Sequence, residues 1–292
     1  MKINYGSSFF IILGVLSFGL LFSCKDKKAG DDFSIEFDTI RVEKRIPLLE
    51  QENDTTLPYS DVSIGFVYPK KFRNPEDLAR LQQIVKGTFF NNQKYDSLSA
   101  EEAVDKYLAD YTAEYRVLAD DFYTDKTRLE GKTPSWYWYY MNNDNRILFQ
   151  NDSLLSYAVE YSDYTGGAHG SFHVTYVNID LNELTTLSEE DLFVPNYFKP
   201  LTEKIVRNLM KKYNVTVPDS LISEGFFEVE DIVPNNNFWL SNEGIHYSYN
   251  QYEIAPYAMG VIDVTIPYSE LKDILKPNSP VEQFIHNNIS KE

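Results

Sequence analysis

The stretch Leu154-Leu155-Ser156-Tyr157-Ala158-Val159-Glu160-Tyr161-Ser162-Asp163-Tyr164, followed by Thr165-Gly166-Gly167-Ala168-His169-Gly170 and the apolar run 172–181, decides the fold. Two runs of strand length, rich in aromatic and β-branched residues, flank three glycines in five positions, which reads as antiparallel strands joined by a glycine turn. Upstream, 136–141 and 147–150 continue the strand character on either side of Asn142-Asn143-Asp144-Asn145, read as a turn. Further back, Ser99 with Glu102 forms a capping box, opening a helix whose Val104, Tyr107, Leu108, Tyr111, Tyr115, Leu118 and Phe122 make one stripe. Pro75 opens an earlier helix with Leu78, Leu81, Ile84, Val85 and Phe89 at helical spacing, and Asn91-Asn92 ends it. Strands are expected at 62–68 and around Ile35, Phe37, Ile40 and Val42. Downstream come a helix near 197–213, two strands around Asn242-Glu243-Gly244, a strand at 261–266, and short helices at 268–275 and 281–289. Helices interrupt hairpins without regular strand-helix alternation, so the expected class is α+β with mostly antiparallel sheets and a few packed helices.

The N-terminal end carries a different signal. Lys2, an apolar run at 9–22 too short to span a bilayer, and Leu21-Phe22-Ser23-Cys24 read as a signal peptide ending at a lipid attachment point. The pattern resembles a bacterial lipoprotein signal, and the resemblance implies acylation of Cys24, the only cysteine of the chain. Residues 1–23 are then the signal peptide, and 24–34 a polar linker from the membrane. Lys25 after the cysteine favours the outer membrane. With no second cysteine, no disulfide forms within the chain, and core packing alone must hold the fold.

Charge narrows the partners. Removing 1–23 leaves 26 basic against 44 acidic side chains, a net of −18, compared with −17 for the whole chain. Such a field disfavours nucleic acid and favours a cationic partner over a Debye length of about 8–10 Å.

The candidate chemistry lies in two loops. In the first, Gly166, Gly167 and Gly170 free the backbone for positive φ or close approach beside Tyr164 and His169, as a ligand-binding loop or as a tight turn. His169 and His173 have no carboxylate at ligand spacing beside them, so no metal and no cofactor is expected. The second is Tyr252-Glu253-Ile254-Ala255-Pro256-Tyr257-Ala258-Met259-Gly260, where Pro256 stiffens a connection presenting Tyr252 and Tyr257. Trp136-Tyr137-Trp138-Tyr139-Tyr140 reads as a strand covered on both faces or, less simply, as a sugar-stacking platform. Asp120-Asp121 and Glu189-Glu190-Asp191 read as solvated or helix-start acids. No catalytic residue is assigned.

The glycine loop, the segment 187–193, and Gly244-Ile245-His246-Tyr247 leading through 252–260 to Ile266-Pro267-Tyr268-Ser269-Glu270-Leu271 together resemble the RsiV-type domain. That domain is the extracellular part of an anti-sigma factor that binds lysozyme. The preceding half is similar to the PdaC-type domain, named for a peptidoglycan deacetylase. The resemblance implies two small α+β modules, PdaC-like at 35–160 and RsiV-like at 161–276, with a C-terminal helix at 277–292. Only eight residues precede the apolar run and about 17 follow Leu275, so neither a sigma-binding segment nor a deacetylase domain is expected. The expected function is a lipid-anchored, extracytoplasmic binding protein of the bacterial envelope, not an enzyme. Its ligand would be a lysozyme-like muramidase or peptidoglycan, met by Tyr164, Gly166, Gly167, His169, Gly170, Tyr252, Pro256 and Tyr257. The competing expectations are a glycan hydrolase centred on His169 and a purely structural lipoprotein.

Overall fold

A computed structural model of the protein describes residues 34–49 and 56–287. The expected signal peptide, Cys24 and nearly all of the linker lie outside the described residues. Strands β1 (Glu36–Pro47) and β2 (Tyr59–Lys71) pair antiparallel, and the chain then enters α1 (Pro75–Phe90). Asn74 caps α1 by accepting from the Glu76 and Asp77 amides at 3.0 Å, with Pro75 in the first turn, and Asn91 closes it at φ 45°. The Ser99–Glu102 capping box opens α2 (Ala100–Arg116) with both reciprocal bonds formed. The expected single helix breaks at Val117-Leu118, and α3 (Ala119–Arg128) carries Phe122. Periodicity hides the break because Leu118 and Phe122 pack on the same core as the α2 stripe.

Next come β3 (Tyr139–Gln150), β4 (Leu154–Tyr164), β5 (Ser171–Asp180) and the short β6 (Thr185–Thr186). Strands β1 to β6 form one sheet in sequence order, antiparallel except for the parallel pair of β2 and β3, whose crossover runs through α1, α2 and α3. The turn expected at Asn142–Asn145 does not exist: all four residues lie within β3. Asn143 and Asn145 are buried there, and the reason is chemical. Parallel pairing stops at Gly65 and Asp144. One residue on, the Asn145 side chain accepts from the Val67 N–H (2.7 Å) and donates to the Val67 carbonyl (2.8 Å), continuing the ladder as a peptide would.

The remaining elements are α4 (Glu189–Leu192), α5 (Phe198–Tyr213), α6 (Ser220–Ser223), a second antiparallel sheet of β7 (Phe238–Leu240), β8 (Gly244–Tyr249) and β9 (Ile262–Pro267), and α7 (Glu282–Asn287). Where a helix was expected at 268–275, only a 3-10 turn over Tyr268–Glu270 forms.

Strand β4 belongs to both cores. Leu155, Tyr157 and Val159 face a core shared with Val62, Ile64 and Phe66 of β2 and with Leu81 and Val104 of α1 and α2. Leu154 joins the other core, where Leu201, Ile205 and Leu209 of α5 meet Tyr247, Val264 and Ile266. The module boundary expected at 160/161 falls inside β4, and the six-stranded sheet runs through it. The described residues cluster as a single unit. Asn178 makes the junction. Its amide donates to the Phe238 carbonyl (2.8 Å) and accepts from Ser156 Oγ (2.7 Å) and the Leu240 N–H (3.0 Å), all buried. The α+β class is as expected; no helix among the described residues is long and apolar enough to cross a membrane.

Candidate functional site

The glycine loop closes the β4–β5 hairpin, and its glycines act in two ways. Gly166 and Gly167 take φ of 88° and 105°, a left-handed region costly for other residues. Gly170 serves close approach: a Cβ there would lie 2.7 Å from the Asp163 carbonyl and closer still to the Tyr140 hydroxyl. Tyr164 Oη donates to the Gly167 carbonyl (2.9 Å), tying the loop to its own strand.

The second loop is carried to the first by an unusual edge. The outward N–H groups of β5 would be left bare, because β6 pairs only with its last two residues. Side-chain amides take them instead: Phe172 N–H donates to Gln251 (3.3 Å), Val174 N–H to Asn250 (2.7 Å) and Tyr176 N–H to Asn237 (2.9 Å). Asn250 and Asn237 also donate to the Val174 carbonyl, each at 3.0 Å. The turn following Gln251 is thereby fixed beside the glycine loop.

His169 and Tyr257 consequently stack at 4.0 Å between ring centroids with 25° between planes, and Tyr252 lies beside both, 6.5 Å from His169 and 6.1 Å from Tyr257. His169 Nδ1 must donate to the Gly170 carbonyl (2.9 Å), so in the neutral ring Nε2 accepts from Tyr252 Oη (3.3 Å). Tyr252 has φ of 68°, strained for a tyrosine, and is held by its N–H bonding to the Ala255 carbonyl. Pro256 is exposed and leads into the 3-10 turn that presents Tyr257.

Three residues outside the two loops complete the surface: Trp136 and Tyr140 from the aromatic run 136–140, and Phe172, which the sequence did not single out. Of ten large hydrophobic side chains exposed among the described residues, four surround this loop: Trp136 (40%), Tyr140 (37%), Phe172 (36%) and Tyr252 (57%). The Trp136 backbone lies against Gly166, Tyr140 stacks on Tyr164 at 6.3 Å, and Phe172 is the first residue bound by the amide edge. The aromatic run 136–140 therefore is not a strand covered on both faces. Tyr137 is buried, whereas Trp136 and Tyr140 turn out beside the glycines.

His173 does not join His169. It projects from the opposite face of the sheet and packs on Tyr161 at 5.5 Å. Glu189 is a helix-start acid but not a solvated one. It is 4% exposed, accepts from the Asn236 N–H (2.8 Å) and Tyr197 Oη (3.1 Å), and burial raises its carboxyl above the ordinary range.

The fold and this surface define a two-sheet α+β protein whose central hairpin ends in an exposed aromatic patch. Residues 70–172 match the family described as Deacetylase PdaC, and residues 190–269 match Protein of unknown function (DUF3298). The crystal structure of a DUF3298 family member from Bacteroides fragilis NCTC 9343 superposes with a TM-score of 0.81 at 31% identity, covering 87% of this chain and 98% of that one. The chain belongs to the DUF3298 family. A DUF3298 family protein from Pseudomonas aeruginosa PAO1 shares the fold at 20% identity and a TM-score of 0.55, covering 85% of this chain and 97% of that one. The peptidoglycan-N-acetylmuramic acid deacetylase PdaC of Bacillus subtilis (strain 168) is 24% identical over 198 residues, 67% of this chain and 38% of the enzyme's length. The PdaC-like character expected of the N-terminal half is thus present.

Proposed function

We propose that the protein is an extracytoplasmic binding module of the bacterial envelope, anchored by lipid on Cys24, that captures a cationic muramidase of the lysozyme type without turning it over. The carrying observation is the joining of the glycine loop and the 252–260 loop into one exposed aromatic surface of His169, Tyr252, Tyr257, Trp136, Tyr140 and Phe172. Aromatic patches on a rigid frame suit protein recognition, because two-torsion side chains lose little freedom on binding. An envelope location is supported by the similarity to a peptidoglycan deacetylase, and the net charge of −17 supports a cationic ligand.

Retention of lysozyme on the immobilised protein tests the reading. Capture is expected at low salt, weakening toward physiological salt, and falling in Tyr252→Ala at unchanged fold. No retention by the folded protein at low salt overturns it.

A further inference from the structure

The sheet presents a second place for a ligand, on the face opposite the aromatic patch. Across β3, β4 and β5 the pairing aligns Asn143, Tyr161 and His173 in one row, with Asn145, Val159 and Thr175 in the next. Deeper in the sheet α1 and α2 cover this face. At the Tyr161 row the cover thins, leaving a trough of about 350 Å³ walled by tyrosines 107, 111, 115 and 139 and reaching Thr165. It continues past Tyr107 and Tyr161 into a second hollow of about 590 Å³, lined by Asn143, His173 and Thr175. Both fall in the size range of small-ligand sites.

We propose that this tyrosine trough binds a neutral glycan segment, distinct in place and ligand from the muramidase surface. Asn143 carries the argument. It lines the second hollow at 2% exposure, its amide N–H donates to the Phe89 carbonyl (3.3 Å), and its buried Oδ1 has no hydrogen-bond partner. A buried acceptor without a donor is costly, and a ligand hydroxyl or acetamido N–H satisfies it. Tyr107 lines both hollows next to Asn143, and burial pushes its hydroxyl up to about 12, so it keeps its proton at neutral pH. Tyrosine faces beside an amide and an imidazole suit pyranose rings, which offer apolar C–H faces with hydroxyls around the edge. A charged ligand fits less well. Of the two acids lining it, Asp110 is already bridged by Lys94 (3.0 Å) and Lys106 and Glu114 is exposed to solvent, and the negative charge of the chain repels anionic sugars.

Chitotetraose, a neutral N-acetylated glycan, is the probe. In titrations followed by calorimetry and NMR, saturable binding is expected, with shift changes at Tyr107 and Thr175. Tyr161→Ala should weaken it about tenfold, the loss of one aromatic stacking contact. The exposed His173→Ala should weaken it at unchanged thermal stability, which keeps the test open if Tyr161→Ala fails to fold. Tyr252→Ala should leave it unchanged. The proposal is overturned if wild-type protein shows no saturable binding, if both trough variants bind like wild type, if Tyr252→Ala abolishes binding, or if a lysine-rich peptide occupies the trough and chitotetraose does not. Lysozyme capture reads the other surface, so either result can fail alone.

Discussion

Tyr252 joins strain to exposure in a single residue. Its left-handed backbone costs about 1 kcal/mol, which glycine would not incur, although glycine loses more chain entropy on folding. Tyr252→Gly is therefore expected to keep stability within about 1 kcal/mol of wild type by denaturant unfolding, while lysozyme capture drops. Gly170→Ala is the opposite case. Its Cβ would press on the Asp163 carbonyl, and a loss of about 1–3 kcal/mol is expected, with the hairpin tip displaced. These glycines were legible as a loop needing φ freedom or close approach; which of them needed which was not, because that depends on Tyr140 of β3 and on Trp136 in the 3-10 turn before it. Glu189 was illegible for a similar reason. Nothing local distinguishes it from Glu190, and only the partners Asn236 and Tyr197, distant in the chain, make it a buried acceptor. Glu189→Ala should cost about 2–4 kcal/mol in the same unfolding measurement by orphaning those donors.

At the scale of elements, β3 shows what composition conceals. Four consecutive turn-favouring residues form a continuous strand because Asn145 serves as an extra rung between β3 and β2. Asn145→Ala should leave the Val67 N–H and carbonyl unpaired and cost about 1–3 kcal/mol, read from chemical unfolding and from faster amide exchange at Val67. In the small sheet, His246 stacks on Trp239 at 3.8 Å and bonds to Ser241 and Thr265, each at 2.8 Å, and burial holds it below its ordinary value of 6.5. The unfolded chain then binds the proton more readily, so its contribution to stability falls as pH drops below about 6.5. Glu189, raised by burial, works with the opposite sign in the carboxylate range, favouring the folded state as pH falls. The melting temperature is expected to decline between about pH 6.5 and 5.5 in wild type, and His246→Gln should flatten that limb.

For the whole molecule, the two sheets are joined through side-chain amides in place of a shared strand pairing. Asn178 bonds the second sheet, while Asn237, Asn250 and Gln251 dress the edge of β5. The element types, the main cores and the α+β class could be read from hydrophobic periodicity and caps, since those signals are local. The joining of the two sheets could not, because it rests on asparagines whose partners lie 60 or more residues away. Nor could the meeting of His169 with Tyr252 and Tyr257, which follows from that edge. Asn250→Ala should therefore loosen the second loop and weaken capture without touching an aromatic. The most direct measurement of the central claim is lysozyme affinity for wild type, Tyr252→Ala, Trp136→Ala and the double variant at two salt concentrations. One continuous surface should give salt-sensitive wild-type binding, with each single variant weakened by about tenfold or more and the double variant weaker still. Wild-type binding that neither substitution alters, or none at all by a folded protein, would contradict it.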